Sequence, residues 1–372
     1  MSVSYGGDSI TFGDGSIVSS GSQGFKNKII NGHMMIDQRN AGASVTPTSN
    51  VFGPDRWTPQ LAQSSKFSYR QMESANTSAS NYESSSAPTG FTNSLKITSS
   101  SAYTPVTGDY MLIRQHIEGY NVADLDWGLA TAKTVTVSFW VKSSLTGSHS
   151  FSVYNFDGSR SYPVLYTINT ANTWEYKTIV IPGDTSGTWK KDSNIGISIA
   201  FSIGSGATYS GPSGAWASAW YPAATGAVPL IGTSSATLYI TGVQFEKGTA
   251  ASTFEFRSYQ KELMLCQRYY QLYTATSVEW IYNEDATTNH KWWQCYLTGA
   301  TMRTTPSATF IGSWTGGTSG GLTGTIASMT ATDISVNRFI VRVGMSADGG
   351  TSHLMYHTDG WQTKQIGFTS EY

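Results

Sequence analysis

Apolar and polar residues alternate with a period of two along most of the chain. Ile195, Ile197, Ile199, Phe201 and Ile203 alternate with Gly196, Ser198, Ala200 and Ser202, the pattern of a strand with one buried face. Val135, Val137, Phe139 and Val141 alternate in the same way with Thr134, Thr136, Ser138 and Trp140. Further strands are predicted within Phe67–Tyr69, Leu95–Ile97, Met111–Ile117, Phe151–Val153, Trp174–Ile181 and Leu238–Phe245, separated by Ser-, Gly- and Thr-rich turns. Many short strands joined by such turns predict a mainly β protein built on an antiparallel jelly-roll sandwich.

One segment breaks the alternation. From Ser258 to about Tyr273, Tyr259, Leu263, Cys266 and Tyr270 recur at helical spacing, with Ser258 placed as an N-cap. This predicts one connecting helix. Beyond it, Val278–Tyr282, Trp292–Leu297, Ala308–Ile311 and Phe339–Met345 read as strands of a second, smaller β domain, with a turn-rich loop at 312–324. The first 25 or so residues have too few apolar anchors for a core of their own and need a partner, or other copies of the chain, to become ordered. The expected organisation is a segment at 1–25, a sandwich at 26–257, and the helix with the distal domain at 258–372.

Composition narrows the setting. The 372 residues carry 23 basic and 24 acidic side chains, a formal net charge of -1. No cationic excess favours nucleic acid or an anionic membrane surface. Charged residues make up 13%, so Ser, Thr, Asn and Gly must build the polar surface, a β-rich and extracellular-looking balance. The 21 Tyr, 12 Trp and 15 Phe suit strands and flat contact surfaces. No run reaches the roughly 18 apolar residues of a membrane helix, and the N-terminus lacks the pattern of a secretory signal. Cys266 and Cys295 are too few for a disulfide framework, and sequence leaves their pairing open.

The stretch GGDSITFGDGS (6–16) invites comparison with the GDS-type serine esterases, where the serine is the nucleophile. A nucleophilic serine needs a base and an acid that orients it. That family supplies both from Asp-x-x-His, and this chain offers only Asp285 with His290 and Asp348 with His353, both wrongly spaced. Its Gly-x-Asn-Asp block is met only by Gly119-Tyr120-Asn121, followed by Val122. Ser9 is therefore expected in a turn or strand.

The segment ITFGDGSIVSSG (10–21) resembles instead the short strand–Asp-Gly–strand unit of phage tail-fibre and other virion proteins, with Phe12 in a strand and Asp14-Gly15 as a tight hairpin turn. Three more stretches resemble the same proteins. KNKIINGHMMIDQRNAG (26–42) is similar to the segment that opens many phage virion modules, and GPDRWT (53–58) to the one that follows it. GVQFEKGTAASTFEFRSYQKELMLCQRYYQLY (242–273) is similar to the closing segment. Together they bracket a region resembling the jelly-roll carbohydrate-binding modules. MRTTPSATF (302–310) looks like a strand of the distal β domain in such proteins. The resemblance implies a homotrimeric virion fibre of tail or capsid. Phe12, Asp14 and Gly15 would belong to the segment contacting other virion proteins. Each motif also has a structural account: Asn31-Gly32 as a turn, Asp55 and Arg56 pairing or bonding backbone, Trp57 as core, Gln244 and Glu246 pointing outward on an edge strand, and Phe254, Phe256 and Tyr259 pinning the helix onto the sandwich.

Sugars are gripped by aromatic faces flanked by polar groups. Trp216, Trp220 and Tyr221 lie in a Gly/Pro-rich loop, Trp292 and Trp293 alternate on one strand, and Trp361 sits in an apparent loop; these are the glycan-binding candidates. Trp140 and Trp314 are weaker ones, each also accounted for by burial. His353 and His357 share a face if their segment is a strand but have no third metal ligand in view, and Asp124 and Asp126 could serve a calcium site, with turn capping the default reading. No catalytic residue, metal or cofactor is assigned. The expected role is host attachment through surface glycans, without nucleic acid binding or membrane insertion, in a protein that is not an enzyme. The alternatives are a purely architectural decoration or neck protein with its aromatics buried, or a carbohydrate-active enzyme using carboxylates such as Glu118 or Asp157. Exposed aromatics separate the first two, and paired carboxylates in a groove favour the third.

Overall fold

A computed structural model describes residues 3–6, 9–12, 17–19, 25–275, 282–283, 290–296, 300–311, 316–318, 323–324, 326–332, 334, 338–345, 353–354 and 364–372, with side chains over 25–273, 300–311, 334 and 365–372. The chain divides into two compact units, Met1–Arg257 with Tyr372, and Ser258–Glu371.

The first unit begins with an antiparallel meander of β1 (Val3–Gly6), β2 (Ser9–Phe12) and β3 (Ile17–Ser19). Ten strands of its sandwich follow: β4 (Thr58–Leu61), β5 (Phe67–Glu73), β6 (Asn93–Ser99), β7 (Tyr110–Glu118), β8 (Val135–Ser143), β9 (Gly147–Tyr154), β10 (Ser161–Ile168), β11 (Glu175–Ile181), β12 (Ile195–Ser205) and, after a small parallel pair of β13 (Ser210–Gly211) with β14 (Ala223–Ala224), β15 (Thr237–Lys247). They form two five-stranded sheets, ordered β10-β9-β12-β7-β4 and β11-β8-β15-β6-β5, with every neighbouring pair antiparallel. The architecture is a mainly β sandwich of jelly-roll type. A one-turn helix α1 (Gly119–Val122) follows β7.

The alternation read from sequence sets the layers. Phe139 of one sheet meets Phe151 and Phe201 of the other, with ring centroids 6.1 and 5.0 Å away, and all three are fully buried. Trp57 packs 6.3 Å from Phe201 and donates its indole N–H to the Asn31 carbonyl at 3.0 Å. Strand β10 carries Pro163, which cannot donate to a ladder, and it occupies a sheet edge where that omission is tolerated.

The opening segment is irregular yet buried, so its backbone groups need designated partners. Lys28 N–H donates to the Phe245 carbonyl and Val243 N–H to the Gly32 carbonyl, at 2.9 and 2.8 Å. Gln115 both accepts from Ile30 N–H and donates to its carbonyl. Asn31 sits at φ +56° and bonds Ile36 and the Asp55 carbonyl. A Cβ at Gly32 would come within 2.2 Å of the Val243 carbonyl oxygen, so only glycine fits there. Arg257 closes the seam by donating to the carbonyls of Ile29 and Asn27.

One sequence expectation changes here. Gln244 and Glu246 face away from the core, but β15 is the central strand of its sheet, not an edge. Both are buried beneath the segment after β15: Ser252 bonds Glu246, and Glu255 N–H donates to Gln244. Asp55 and Arg56 both bond backbone groups, one of the two roles expected of them. Asp55 accepts from Gln38, and Arg56 donates to the His116 carbonyl.

In the second unit, α2 (Tyr259–Gln267) starts at Ser258, whose hydroxyl accepts from Lys261 N–H. It is shorter than the predicted helix. The run from Tyr270 is a strand, Tyr270–Ala275, paired with Lys364–Thr369, which pairs in turn with Ser307–Ile311. Long-range pairing of β-favouring tyrosines outweighs the local helical spacing. Tyr259 is 57% exposed. The other described strands include Tyr282–Asn283, His290–Tyr296, Arg338–Met345 and Ile326–Thr332 in one antiparallel sheet. No helix among the described residues is long and apolar enough to cross a membrane.

Two predictions test this seam. Arg257→Ala leaves two buried carbonyls without their donor and should lower stability by about 3 kcal/mol in urea denaturation. His33 is buried against Phe254 and Phe256, with an unpartnered Nε2. Burial, reinforced by Arg257, lowers its pKa from 6.5 to about 4. The unfolded chain therefore takes up the proton first, so stability present above pH 6.5 is lost as pH falls toward 4, by up to about 3 kcal/mol. His33→Leu should flatten that part of a stability-against-pH curve.

Candidate functional site

The outer face of the sheet containing β9, β12 and β7 carries the chemistry. Along β7, Met111, Ile113 and Ile117 point into the core, and Tyr110, Leu112, Arg114 and His116 take the opposite phase. The register sets Ser198 of β12 between His116 and Tyr154, and Ala200 between Arg114 and Ser152. Leu112, Tyr154 and Ala200 form a small apolar cluster outside the main core, and Trp220 and Tyr110 pack on it.

Trp220 reaches this face because its loop is clamped. Ala217 and Ser161 exchange two backbone hydrogen bonds of 2.9 and 3.1 Å. The Ser161 hydroxyl donates to the Ala219 carbonyl at 2.6 Å and accepts from Tyr221 N–H at 3.0 Å. Arg160 donates to the Ser218 hydroxyl and makes a two-pronged pair with Asp184. The Trp220 ring lies edge-on to Tyr110, Tyr209 and Tyr154, at 5.0, 5.2 and 6.0 Å.

Beside it, the β9–β10 hairpin supplies the opposite wall. Asn155 accepts from Arg160 N–H, and Asp157 accepts from Ser159 N–H. Gly158 takes φ +68°, and a Cβ there would lie 3.0 Å from Trp220 Cβ, so glycine lets hairpin and loop approach. The hairpin presents Phe156, 53% exposed.

Between these walls lies a groove of about 490 Å³. Trp220, Phe156 and Tyr154 are its aromatic lining, and Arg114, Gln60, His116, Asn50 and Asp157 its polar one. Gly158, Ile195 and Tyr372 complete it; Tyr372, which packs with this unit, donates to the Ser193 carbonyl. Arg114 donates through Nη1 to Gln60 Oε1, while its buried Nε has no partner. Tyr154 is 4% exposed and its hydroxyl also lacks a partner. Burial holds the Tyr154 phenol above its usual range. His116 bonds Ser198 through Nδ1 at 2.7 Å. Burial, with Arg114 and Arg56 nearby, holds its pKa well below 6.5, so it is neutral at neutral pH. Hydrogen bonds from Ser159 hold Asp157 below the usual carboxylate range, so it is ionised. Open aromatic surface beside unmatched hydrogen-bond donors can take a ligand with both C–H faces and oxygen acceptors.

Of the sequence candidates, Trp220 lines this groove. Trp216, from the same loop, turns toward the core edge: it packs edge-on to Trp127 and Trp189 and donates to the Pro182 carbonyl at 2.8 Å. The Tyr221 ring lies over Gly211, and its carbonyl accepts from Ser152. Trp292 and Trp293 lie on the strand His290–Tyr296, but their side chains fall outside the described ones. Trp361 and Trp314 lie outside the described residues. Phe12 ends β2; its side chain, and Asp14 and Gly15 entirely, are outside the described set. His353 belongs to a described strand without a described side chain, and His357 lies outside. Cys266 is buried in α2, while the Cys295 side chain is not described. Trp140 is half-buried against Tyr176, at 5.4 Å. Asp124 pairs with Lys28 at 3.1 Å and Asp126 accepts from Thr131; among the described residues no group of three or more His, Cys, Asp or Glu is placed to hold a metal. Glu118 is buried, and Asp157 is on the groove.

Sequence reasoning missed Arg114, Gln60, Tyr154, Phe156 and His116. The available signal was Arg114 and His116 falling in the outward phase of an otherwise apolar strand.

No family model and no curated protein sequence matches this chain. Among solved structures, it is similar to the enzymatically active domain of bacteriophage CBA120 tailspike protein 4, at 13% identity over 60% of this chain and 21% of that one, with a TM-score of 0.32. The chain thus spans about a fifth of that tailspike structure's length. It is also similar to a putative sugar binding protein from Bacteroides thetaiotaomicron, at 12% identity over 60% of this chain and all of that one, TM-score 0.33. A third is the family 11 carbohydrate-binding module of a Clostridium thermocellum cellulase, at 15% identity over 57% and 99%, TM-score 0.26.

The loop clamp is open to test. Ser161→Ala strips Ala219 of a donor and Tyr221 of an acceptor. It should cost about 2 kcal/mol in denaturant unfolding and speed proteolytic cleavage within 212–222.

Proposed function

We propose that this chain is a glycan-binding protein that grips a sugar in the groove between Trp220 and the β9–β10 hairpin. The observation that carries this is the pairing of open aromatic surface, Trp220 and Phe156, with the polar side chains of Arg114, Gln60 and Asn50 in one concavity. Pyranose C–H faces stack on rings, and ring hydroxyls need donors and acceptors beside them. A site buried only on one side gives weak binding for each copy, so useful avidity comes from several copies presented together.

The proposed setting is a virion fibre of tail or capsid, homotrimeric, attaching to host surface glycans. Its support is the sequence resemblance at 10–21, 26–42, 53–58 and 242–273. In this reading the chain is not an enzyme. Bond cleavage by a carboxylate pair needs two acids across a cleft, and Asp157 is the one acidic side chain among the groove's lining residues.

Binding of the purified chain to a glycan array, with sedimentation for subunit count, tests the proposal. Wild-type protein should retain at least one glycan class, and Trp220→Ala should weaken retention at least about tenfold while the fold persists by circular dichroism. Retention unchanged by both Trp220→Ala and Phe156→Ala would remove the groove from the function.

A further inference from the structure

Resting on that glycan reading, we infer that the groove takes an acidic sugar, with the sugar's carboxylate received by Arg114 and Tyr154. Both unsatisfied polar atoms of the groove are donors: Arg114 Nε and the Tyr154 hydroxyl. They belong to strands that flank β12 on either side, and the Arg114 guanidinium and Ser198 hydroxyl lie close enough to the Tyr154 phenol to oppose the rise that burial gives it. A neutral sugar hydroxyl would satisfy one donor at a time. A carboxylate has two oxygens and about four lone-pair sites, and it accepts from a guanidinium and a phenol together.

The charges around the site point the same way. Arg114 leans on Gln60, a neutral group, and no described carboxylate forms an ion pair with it. His116 is neutral and committed to Ser198, so it neither cancels nor shares the guanidinium charge. Asp157 is the groove's anion, but it is exposed and its Oδ1 is occupied by Ser159 N–H of its own turn. The positive charge is thus the one withdrawn from solvent, where an opposite charge interacts most strongly, and the negative charge is the one water screens. Trp220 beside the donors supplies a surface for the C–H face of the same residue.

Matched pairs of ligands test this on the full chain: oligogalacturonate against its methyl ester, and sialyllactose against lactose. The expected result is at least tenfold tighter binding of the acid in at least one pair, weakening as salt is raised. Arg114→Gln should abolish the preference, Arg114→Lys should restore it only in part, and Tyr154→Phe should reduce acid binding several-fold with melting temperature unchanged or raised. Equal binding of acid and neutral partners, or a preference that survives both Arg114→Gln and Tyr154→Phe, overturns the acidic assignment and leaves glycan binding standing. Retention of no glycan, acidic or neutral, in the pairs or on the array overturns both.

Discussion

The first unit depends on an irregular segment being buried at no loss of hydrogen bonding. Residues 26–36 run between the central strand β15 and β7 without joining either as a regular strand, yet Asn27, Ile29, Ile30 and Asn31 are buried. A buried backbone that is neither helix nor strand has no automatic partners. Asn27, Asn31, Gln115 and Arg257 supply them from sequence positions far apart, so beginning and end of the unit are held in one place. The φ of Asn31 and the missing side chain of Gly32 are conditions of that arrangement. With the seam closed, β15 is fixed at the centre of one sheet, and Phe139, stacked on Phe151 and edge-on to Phe201, fixes the other sheet across from it.

From that frame the groove follows with little added machinery. A strand with one phase in the core must present its other phase outward. On β7 that phase is Tyr110, Leu112, Arg114 and His116, and β12 opposes it with the small residues Ser198, Ala200 and Ser202. Small residues in the middle and large ones on both sides make a trough. The long connection between β12 and β15 supplies Trp220 as one wall, and the tight hairpin after β9 supplies Phe156 as the other.

What sequence made legible was whatever depends on local alternation. Strands β5 to β9, β11, β12 and β15 all fall where period-two patterns stood, because burial of one face imposes that pattern whatever the partner strand. Strand β10 was hidden by Pro163, and β4 by its length of four residues. The end of α2 was missed because the pairing of Tyr270 with Thr369 is a contact across about a hundred residues. Trp220 could be suspected from its Gly- and Pro-rich surroundings. Its neighbour Trp216, with equal claim by that criterion, turned inward to Trp127 and Trp189, residues the loop's own sequence does not mention. The outward phase of Arg114 was legible but its enclosure was not: a charged residue in a strand is usually a solvated one, and only the assembled face shows that its Nε is enclosed.

The choice of sheet face is itself a consequence of packing. The outer face of the opposite sheet is also rich in aromatic and polar groups, but the chain covers it with its own segments. Residues 74–92 bring Glu83 and Ser85 onto Tyr239, Lys96 and Lys142, which satisfy one another. Residues 248–257 bury Gln244 and Glu246 beneath Ser252 and Glu255. Most donors and acceptors there are matched internally, Ser86, Ser94 and His33 being exceptions that the covering segments enclose, so a ligand would have to displace those segments and break existing bonds to gain its own. On the β7–β12–β9 face the covering loop stops at Trp220, and two donors beyond it remain unmatched. An unsatisfied buried donor costs stability in the free protein and returns that cost only when an acceptor arrives. That difference in covering between two otherwise comparable faces is what favours the β7–β12–β9 face for the proposed groove.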